Sequence, residues 1–279
     1  MAFSVNTNAG AFAALQNLNK TTALLNITQT QINTGLKVSS AKDDAATFAI
    51  AQTLRGDVAG LNSVKSSLDR ASSTIDVALA AGEAVSDLLI ELKEKAVAAK
   101  DTGLDTASRT AINADFEQLR DQITSIVSNA AFNGQNAVEE NGTAISAITN
   151  DDGSNSIAIA AQNLSLTSTG NTSNVTISTS QDISTVALAS AAVTNIEDSI
   201  ANVNTALSAL GSGANRLDLQ RTFVDSLSDN IEVGIGNLVD ADLARTSADL
   251  QALQVRQQLG LQALSIANQA PGTVLSLFR

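Results

Sequence analysis

Residues Gln31–Arg55 read QINTGLKVSSAKDDAATFAIAQTLR. The stretch reads as a joint between two helices. The first helix runs out at Gly35, where a residue without Cβ takes the left-handed conformation that closes a helix. Lys37 stands just beyond, placed to face the carbonyl end of that helix dipole. Ser39 and Ser40 are helix-starting residues whose hydroxyls can accept the free N–H groups of a first turn. Asp43 and Asp44 follow at the positive end of the new helix. From Ala45 a helical pattern continues to about Lys100. A short helix of one composition is hinged to a much longer helix of another.

Working outward toward the N-terminus, residues 1–36 contain a single charged side chain, Lys20. Ala11, Leu15, Leu18, Leu25, Ile32 and Leu36 recur at spacings of three and four, with polar Thr22 and Gln29 in the same series. That is a heptad seam. The remaining faces hold Asn, Gln and Thr. Two readings are open: an ordinary amphipathic helix in a bundle, or a helix surrounded by protein on most sides. Uncharged polar faces can be buried when hydrogen-bonded, whereas charges rarely can. The far end of the chain repeats the character. Leu243–Asn268 reads as the last helix, ended by Pro271-Gly272, and from Leu250 onward only Arg256 and Arg279 are charged.

Between these ends lie longer amphipathic segments. Leu54, Val58, Leu61, Val64, Leu68, Ala71, Ile75, Ala78 and Leu79 form a stripe on a helix that, unbroken from Asp44 to Lys100, is about 85 Å long. Such a stripe needs partner helices. Gly103–Asp105 makes a turn, Thr106–Ala131 a second helix, and Asn133-Gly134 a turn signal. From about Gln135 to Gln181 the period drops to two: Ile157 and Ile159, Leu164 and Leu166, Val175 and Ile177. With turn signals at Asp151-Asp152-Gly153 and Gly170-Asn171, this predicts one or two short β-hairpins. Ser184 to about Val233 returns to helix, with an interruption expected at Gly211-Ser212-Gly213 and breaks at Gly234 and Gly236. The fold class is mainly α: elongated antiparallel helical rods with terminal coiled-coil helices and a small β-hairpin element.

Composition excludes much chemistry. There are 16 basic and 28 acidic residues, a net charge of −12, and no His, Cys, Trp or Tyr. Nucleic acid and membrane insertion are not expected, since the first needs a basic patch and the second a long apolar run. Disulfides, thiol nucleophiles, Ser-His-Asp triads and the usual zinc sites lack their residues. No catalytic residue, metal ligand or cofactor is assigned. Asp43 and Asp44 are sequence neighbours and do not share a helix face, and Asp240 and Asp242 flank a turn; all four read as helix-start residues rather than acid–base pairs. Asn150-Asp151-Asp152-Gly153-Ser154-Asn155 resembles a cation loop but lacks the spacing and closing Glu of a calcium hand, so an ordinary turn is preferred. MAFSVNTNAG has no basic stretch followed by an apolar one, so a cleaved secretory signal is not expected.

Charge-poor ends with little core of their own imply burial against other copies, with ordering coupled to binding. Head-to-tail contacts between identical subunits make rings or open filaments. The residues expected to carry this self-assembly are Leu15, Leu18, Leu25, Ile32 and Leu36 at one end. At the other they are Leu250, Leu253, Leu264, Leu275, Leu277 and Phe278. Gly35, Ser39, Ser40, Asp43, Asp44, Asp240 and Asp242 form the joint.

Ser4-Val5-Asn6-Thr7-Asn8, INTGLKVSSAKDDAA (Ile32–Ala46), Phe132-Asn133-Gly134, Asp240-Ala241-Asp242-Leu243-Ala244, Gln257-Gln258 and ALSIANQAPGTVLSLFR (Ala263–Arg279) occur in an order that resembles bacterial flagellin. The resemblance implies an inner coiled-coil core from residues 1–40 and 240–279, around a narrow channel. It implies an outer helical core from 41–134 and 184–239, and a short Ser/Thr-rich surface segment at 135–183, without a bulky outer domain. It implies a non-enzymatic filament subunit used for swimming, exported through the flagellar type III apparatus. Implied partners are copies of itself and other flagellins, the hook–filament junction and filament cap proteins, and a secretion chaperone. Thr47-Phe48 departs from the family's usual Gly-Gln. Where the family's Toll-like-receptor recognition run carries Arg, LIELKEKAVAA (Leu89–Ala99) has Glu91, which predicts weak receptor activation. A hook–filament junction protein, or a soluble helical binding module or effector, remains as the alternative.

Overall fold

Helix-forming residues and apolar stripes dominate the chain, and the structure follows them. The computed structural model describes residues 7–167 and 173–276, with side chains placed to residue 269. Among these are five helices: α1 (Ala9–Thr34), α2 (Ala45–Ala99), α3 (Thr106–Asn129), α4 (Val186–Val239) and α5 (Leu243–Ser276). The backbone divides into two compact units, residues 57–229 and residues 1–56 with 230–279.

In the 57–229 unit, α2 and α4 run antiparallel. The ion pairs Lys65–Asp225 at 2.9 Å, Asp69–Arg221 at 3.3 Å and Lys93–Glu197 at 2.9 Å keep their residue numbers in opposite order along the two helices. Exposed pairs of this kind are worth about 0–1 kcal/mol each. The stability lies instead in the stripes, where Leu68, Ile75, Leu89 and Leu92 of α2, Phe116 and Ile123 of α3, and Ile196 and Leu210 of α4 are fully buried. The turn from α2 to α3 is held at both sides. Asp105 Oδ1 accepts from Ser108 N at 2.9 Å, which caps α3, and Arg109 donates to Ala99 O and Asp101 O at 3.1 and 2.8 Å.

The segment after α3 carries short strands. β1 (Ala131–Phe132) and β2 (Gln135–Asn136) pair antiparallel around Asn133 and Gly134, at φ 50° and 77°. Two positive φ values in a two-residue loop are what an Asn-Gly hairpin turn provides. β3 (Ile145–Ile148) and β4 (Ser156–Ile159) make a second hairpin, with Ile145, Ala147, Ile157 and Ile159 buried. Its turn is closed by Thr149 N to Asn155 O at 3.0 Å, Asn155 N to Asn150 Oδ1 at 2.8 Å and Ser154 N to Asp152 Oδ1 at 3.0 Å. The turn seats on α2 at Gly60, where a Cβ would lie 2.7 Å from Asp151 O. Ile148 N donates to Ser67 Oγ beside it.

Three expectations change. The segment 164–177 is no hairpin: β5 (Leu166–Thr167) pairs parallel with β6 (Val175–Ser178), and the turn signal Gly170-Asn171 lies outside the described residues. Period two fixes the buried faces, and Leu164, Leu166, Val175 and Ile177 are indeed buried, but it does not fix the direction of pairing. Side chains tie the parallel pair together, with Thr167 Oγ1 donating to Val175 O and Ser173 Oγ to Asn163 O. Second, α4 runs unbroken through Gly211-Ser212-Gly213, Gly234 and Gly236. A glycine costs a helix about 1 kcal/mol against alanine, and the burial of Leu210, Leu217, Ile235 and Val239 on the same helix outweighs it. Third, α5 continues past Pro271-Gly272 to Ser276. A proline there removes one backbone donor without ending the helix.

Candidate functional site

The other unit is built on the terminal helices. α1 starts at Asn8, whose side chain accepts from Ala11 N at 3.1 Å and donates to Ala267 O at 2.6 Å. At the opposite end Leu36 bridges Asp240 antiparallel. α1 and α5 therefore lie antiparallel, N-terminus beside C-terminus.

Their seam is narrow. On α5 the residues turned toward α1 are Thr246, Leu250, Leu253, Gln257, Gly260, Leu264 and Ala267, spaced four, three, four, three, four and three apart. Gly260 lets α1 come close: a Cβ there would meet Leu18 Cδ1 at 3.2 Å. On α1 the covered positions include Ala11, Ala14, Leu18, Leu25, Thr28 and Ile32. The expected series is thus out of phase at alternate positions. Leu15 is exposed where Ala14 is covered, and Gln29 is exposed where Thr28 is buried. Small side chains win these positions because two helix backbones approach closely only over small residues.

Most of the residues expected from sequence to carry assembly also meet within the chain. Leu18, Leu25, Ile32, Leu250, Leu253 and Leu264 lie on the seam inside one chain, and Leu36 sits in the bridge to Asp240. Of the eleven, Leu15 faces out. The side chains of Leu275, Leu277 and Phe278 lie outside the described residues. Sequence reasoning missed the surface that stays bare: Phe12, Leu24 and Ile27 on α1, and Val255, Leu259, Leu261 and Ile266 on α5, each at least half exposed. A signal was present, since both helices carry apolar residues on more faces than one partner can cover.

The threonines of α1 spend their hydroxyl donors within the helix. Thr21, Thr22, Thr28, Thr30 and Thr34 each donate to the carbonyl four residues earlier, at 2.8–3.0 Å. Their hydroxyl donors are satisfied inside the helix, so covering them leaves no orphaned donor.

The joint is a clasp between two chain segments. Gly35, at φ 72°, ends α1 with its N–H on Gln31 O at 2.9 Å. Lys37 N and Val38 N both donate to Val239 O, at 2.6 and 3.2 Å, and Ala241 N returns to Gly35 O at 2.9 Å. Val38, Ala51, Ile235, Val239 and Thr246 are buried in this unit. Ser39 and Ser40 do not cap α2, contrary to expectation. Asp43 Oδ2 collects their N–H and hydroxyl groups at 2.9–3.2 Å, and Asp44 is the cap, accepting from Ala46 N and Thr47 N at 3.0 and 3.2 Å. A carboxylate directly before the first turn outcompetes hydroxyls four and five residues back. The Ser39 hydroxyl bond, then the backbone N–H groups, hold Asp43 below the usual carboxylate range. The Thr47 hydroxyl does so first for Asp44, with a smaller pull from the Lys37 charge. Asp242 caps α5 through Ala244 N and Arg245 N, at 3.0 and 3.1 Å. Asp240 contributes backbone here, through its N–H on Gly236 O and its bridge to Leu36.

Comparison with known proteins bears on this geometry. Residues 5–143 match the bacterial flagellin N-terminal helical region, and residues 193–278 match the bacterial flagellin C-terminal helical region. Flagellin FljM of Caulobacter vibrioides is 48% identical, covering 99% of this chain and 98% of its own length. A flagellin of Brucella melitensis is 33% identical, covering 99% of both. A solved structure assigned to a flagellar hook-associated protein of Vibrio parahaemolyticus shares the fold, with a TM-score of 0.55 and 17% identity over 71% of this chain and 100% of that one. Matched from end to end by relatives of nearly its own length, the chain belongs to the bacterial flagellin family.

Proposed function

We propose that the chain polymerises through the outer faces of its terminal helix pair, which other copies complete as a core. As a flagellin it is a structural subunit of the flagellar filament that serves motility, and it assembles with other flagellins outside the cell. The observation that carries the proposal is the bare apolar surface of α1 and α5, from Phe12 and Leu24 to Leu259 and Ile266. Covering the exposed half of one such side chain stabilises by about 1–2 kcal/mol, and every subunit added repeats the gain. The layout that follows has residues 1–40 and 240–279 innermost, 41–134 and 184–239 around them, and 135–183 at the surface. Hook–filament junction and cap proteins with flagellin-like ends would meet the same faces. A secretion chaperone would cover the C-terminal helix before export through the flagellar apparatus, which needs no cleaved signal.

Electron microscopy of purified protein after seeding, with circular dichroism of the monomer alongside, tests this. Long tubular filaments are expected from the wild type. Leu24→Asp, which puts a charge on the outer face of α1, should accumulate as monomer, and Leu18→Asp, which drives a charge into the α1–α5 seam, should do so by separating the pair. A wild-type monomer that never polymerises, or normal filaments from Leu24→Asp, would overturn the proposal.

A further inference from the structure

One face of α2 is lined by small side chains. Ser67, Ala71 and Thr74 stand four and three residues apart on it, and all three are buried. The β1–β2 turn and strand β3 lie over this face, and the small residues leave a hollow of about 180 Å³ beneath them. Arg70, Asn133, Gln135 and Ser146 form its exposed rim. No carboxylate lines the hollow, in a chain whose net charge is −12. The larger cleft beside α3 is lined by Glu139 and Glu140, and the one at the joint by Asp43.

The donors around the hollow are unspent. Lys65, Lys93 and Arg221 of the same unit each hold a carboxylate, whereas the Arg70 guanidinium has no ion-pair or hydrogen-bond partner among the described residues. Ser67 Oγ accepts from Ile148 N at 3.2 Å, which leaves its own hydrogen to donate. Ser63, Ser66 and Ser73 of the same helix spend theirs on the carbonyl four residues earlier. The side chains of Asn133, Gln135 and Ser146 also have no hydrogen-bond partner among the described residues. A helix, a turn and a strand thus bring N–H and O–H groups around one fixed positive charge. The matching occupant carries negative charge and several acceptor oxygens. A carboxylate offers two oxygens in one plane. A phosphate spreads its oxygens in three dimensions, as donors from three elements require, and the planar fork of arginine suits it. We infer that this hollow binds a phosphate-class oxyanion, with Arg70 as the charged ligand and Ser67 at the floor. All its residues belong to the 57–229 unit, so the inference does not depend on polymerisation.

Inorganic phosphate is titrated into the full-length monomer at neutral pH and physiological salt, with nitrogen-labelled arginine read by NMR and affinity read by calorimetry. A saturable shift of the Arg70 Nε–H signal is expected, the signal being identified by its absence from Arg70→Gln. Arg70→Gln should bind phosphate more weakly by about tenfold or more, the scale of one charge-assisted hydrogen bond. Arg216→Gln, which removes an exposed arginine of α4 outside the hollow, should bind as the wild type does. Without phosphate both variants should melt as the wild type, since neither guanidinium has a partner among the described residues to lose. Added phosphate should raise the melting temperature of the wild type and leave that of Arg70→Gln unchanged. Shifts that rise without saturation, shifts shared equally by Arg70 and Arg216, or wild-type affinity in Arg70→Gln would overturn the inference. Acetate bound as tightly as phosphate would also overturn it, because the hollow would then not select a tetrahedral anion.

Discussion

The unit of residues 57–229 and the terminal helix pair are made from the same kinds of helix, yet one is finished and the other is not. In the first, Leu68, Ile75, Leu89 and Phe116 are enclosed by their own chain. In α1 and α5 the best-buried apolar side chains are Leu25 and Leu253, each still 8% exposed, and larger residues nearby are more than half exposed. The difference lies in the number of partners. A helix in the first unit is covered by neighbouring helices and by the strands laid on them, whereas α1 and α5 each have one seam. A single seam between two helices buries too little to hold a pair firmly. The contrast teaches that one unit encloses its own core, while the other leaves apolar surface that, on the proposed reading, copies cover.

If that contrast is right, substitutions in the two units should separate stability from assembly. Phe116→Ala should cost about 3–5 kcal/mol in urea unfolding of the monomer, because it empties an enclosed site. A loss below about 1 kcal/mol would mean that the 57–229 unit is not the finished one. Leu253→Ala should cost about 2 kcal/mol, the low end for such a truncation, since part of its site is already open. The loss should appear as reduced helicity of the terminal pair in hydrogen exchange, with protection in 57–229 unchanged. Gly60→Ala gains about 1 kcal/mol in helix propensity but forces the β3–β4 turn off Asp151 O, for a net loss of about 1 kcal/mol in monomer unfolding. Wild-type stability there would show that the hairpin does not lean on α2.

The smallest effect concerns the joint and pH. Asp43 has a folded pKa below its ordinary value, so its contribution is fully present above the ordinary value and is lost as pH falls through the lowered one. The joint should therefore keep its strength at neutral pH and weaken only below about pH 4. Asp43→Asn should flatten the part of the acid transition that belongs to the terminal pair, read as helicity against pH. An unchanged acid profile in that variant would remove Asp43 from the joint's stability.

Much of this was legible without coordinates, and the gaps have a common cause. The joint announced itself through Gly35, which needs a positive φ, and through paired carboxylates ahead of a helical run. Which carboxylate or hydroxyl takes which donor was not legible. Ser39, Ser40, Asp43 and Asp44 are all competent, and only the folded turn decides that Asp44 reaches the first N–H groups while Asp43 gathers the serines. The buried faces of the strands followed from their period of two, but the parallel pairing of Leu166 with Val175 did not.

The sequence by itself determined the helices, the charge-poor ends and the absence of His and Cys chemistry, because these depend on each residue's own propensity, charge and reactivity. Tertiary structure alone decided which of several apolar faces is spent inside the chain. Leu15 offers more apolar surface than Ala14, yet Ala14 faces α5, because helix axes approach closely only over small side chains. The clasp of Lys37 and Val38 on Val239 O was likewise invisible, since backbone groups distant in sequence carry no residue-specific mark of their partner. Propensity is local and is written in the order of residues. The choice between faces depends on what comes near, and the fold supplies that.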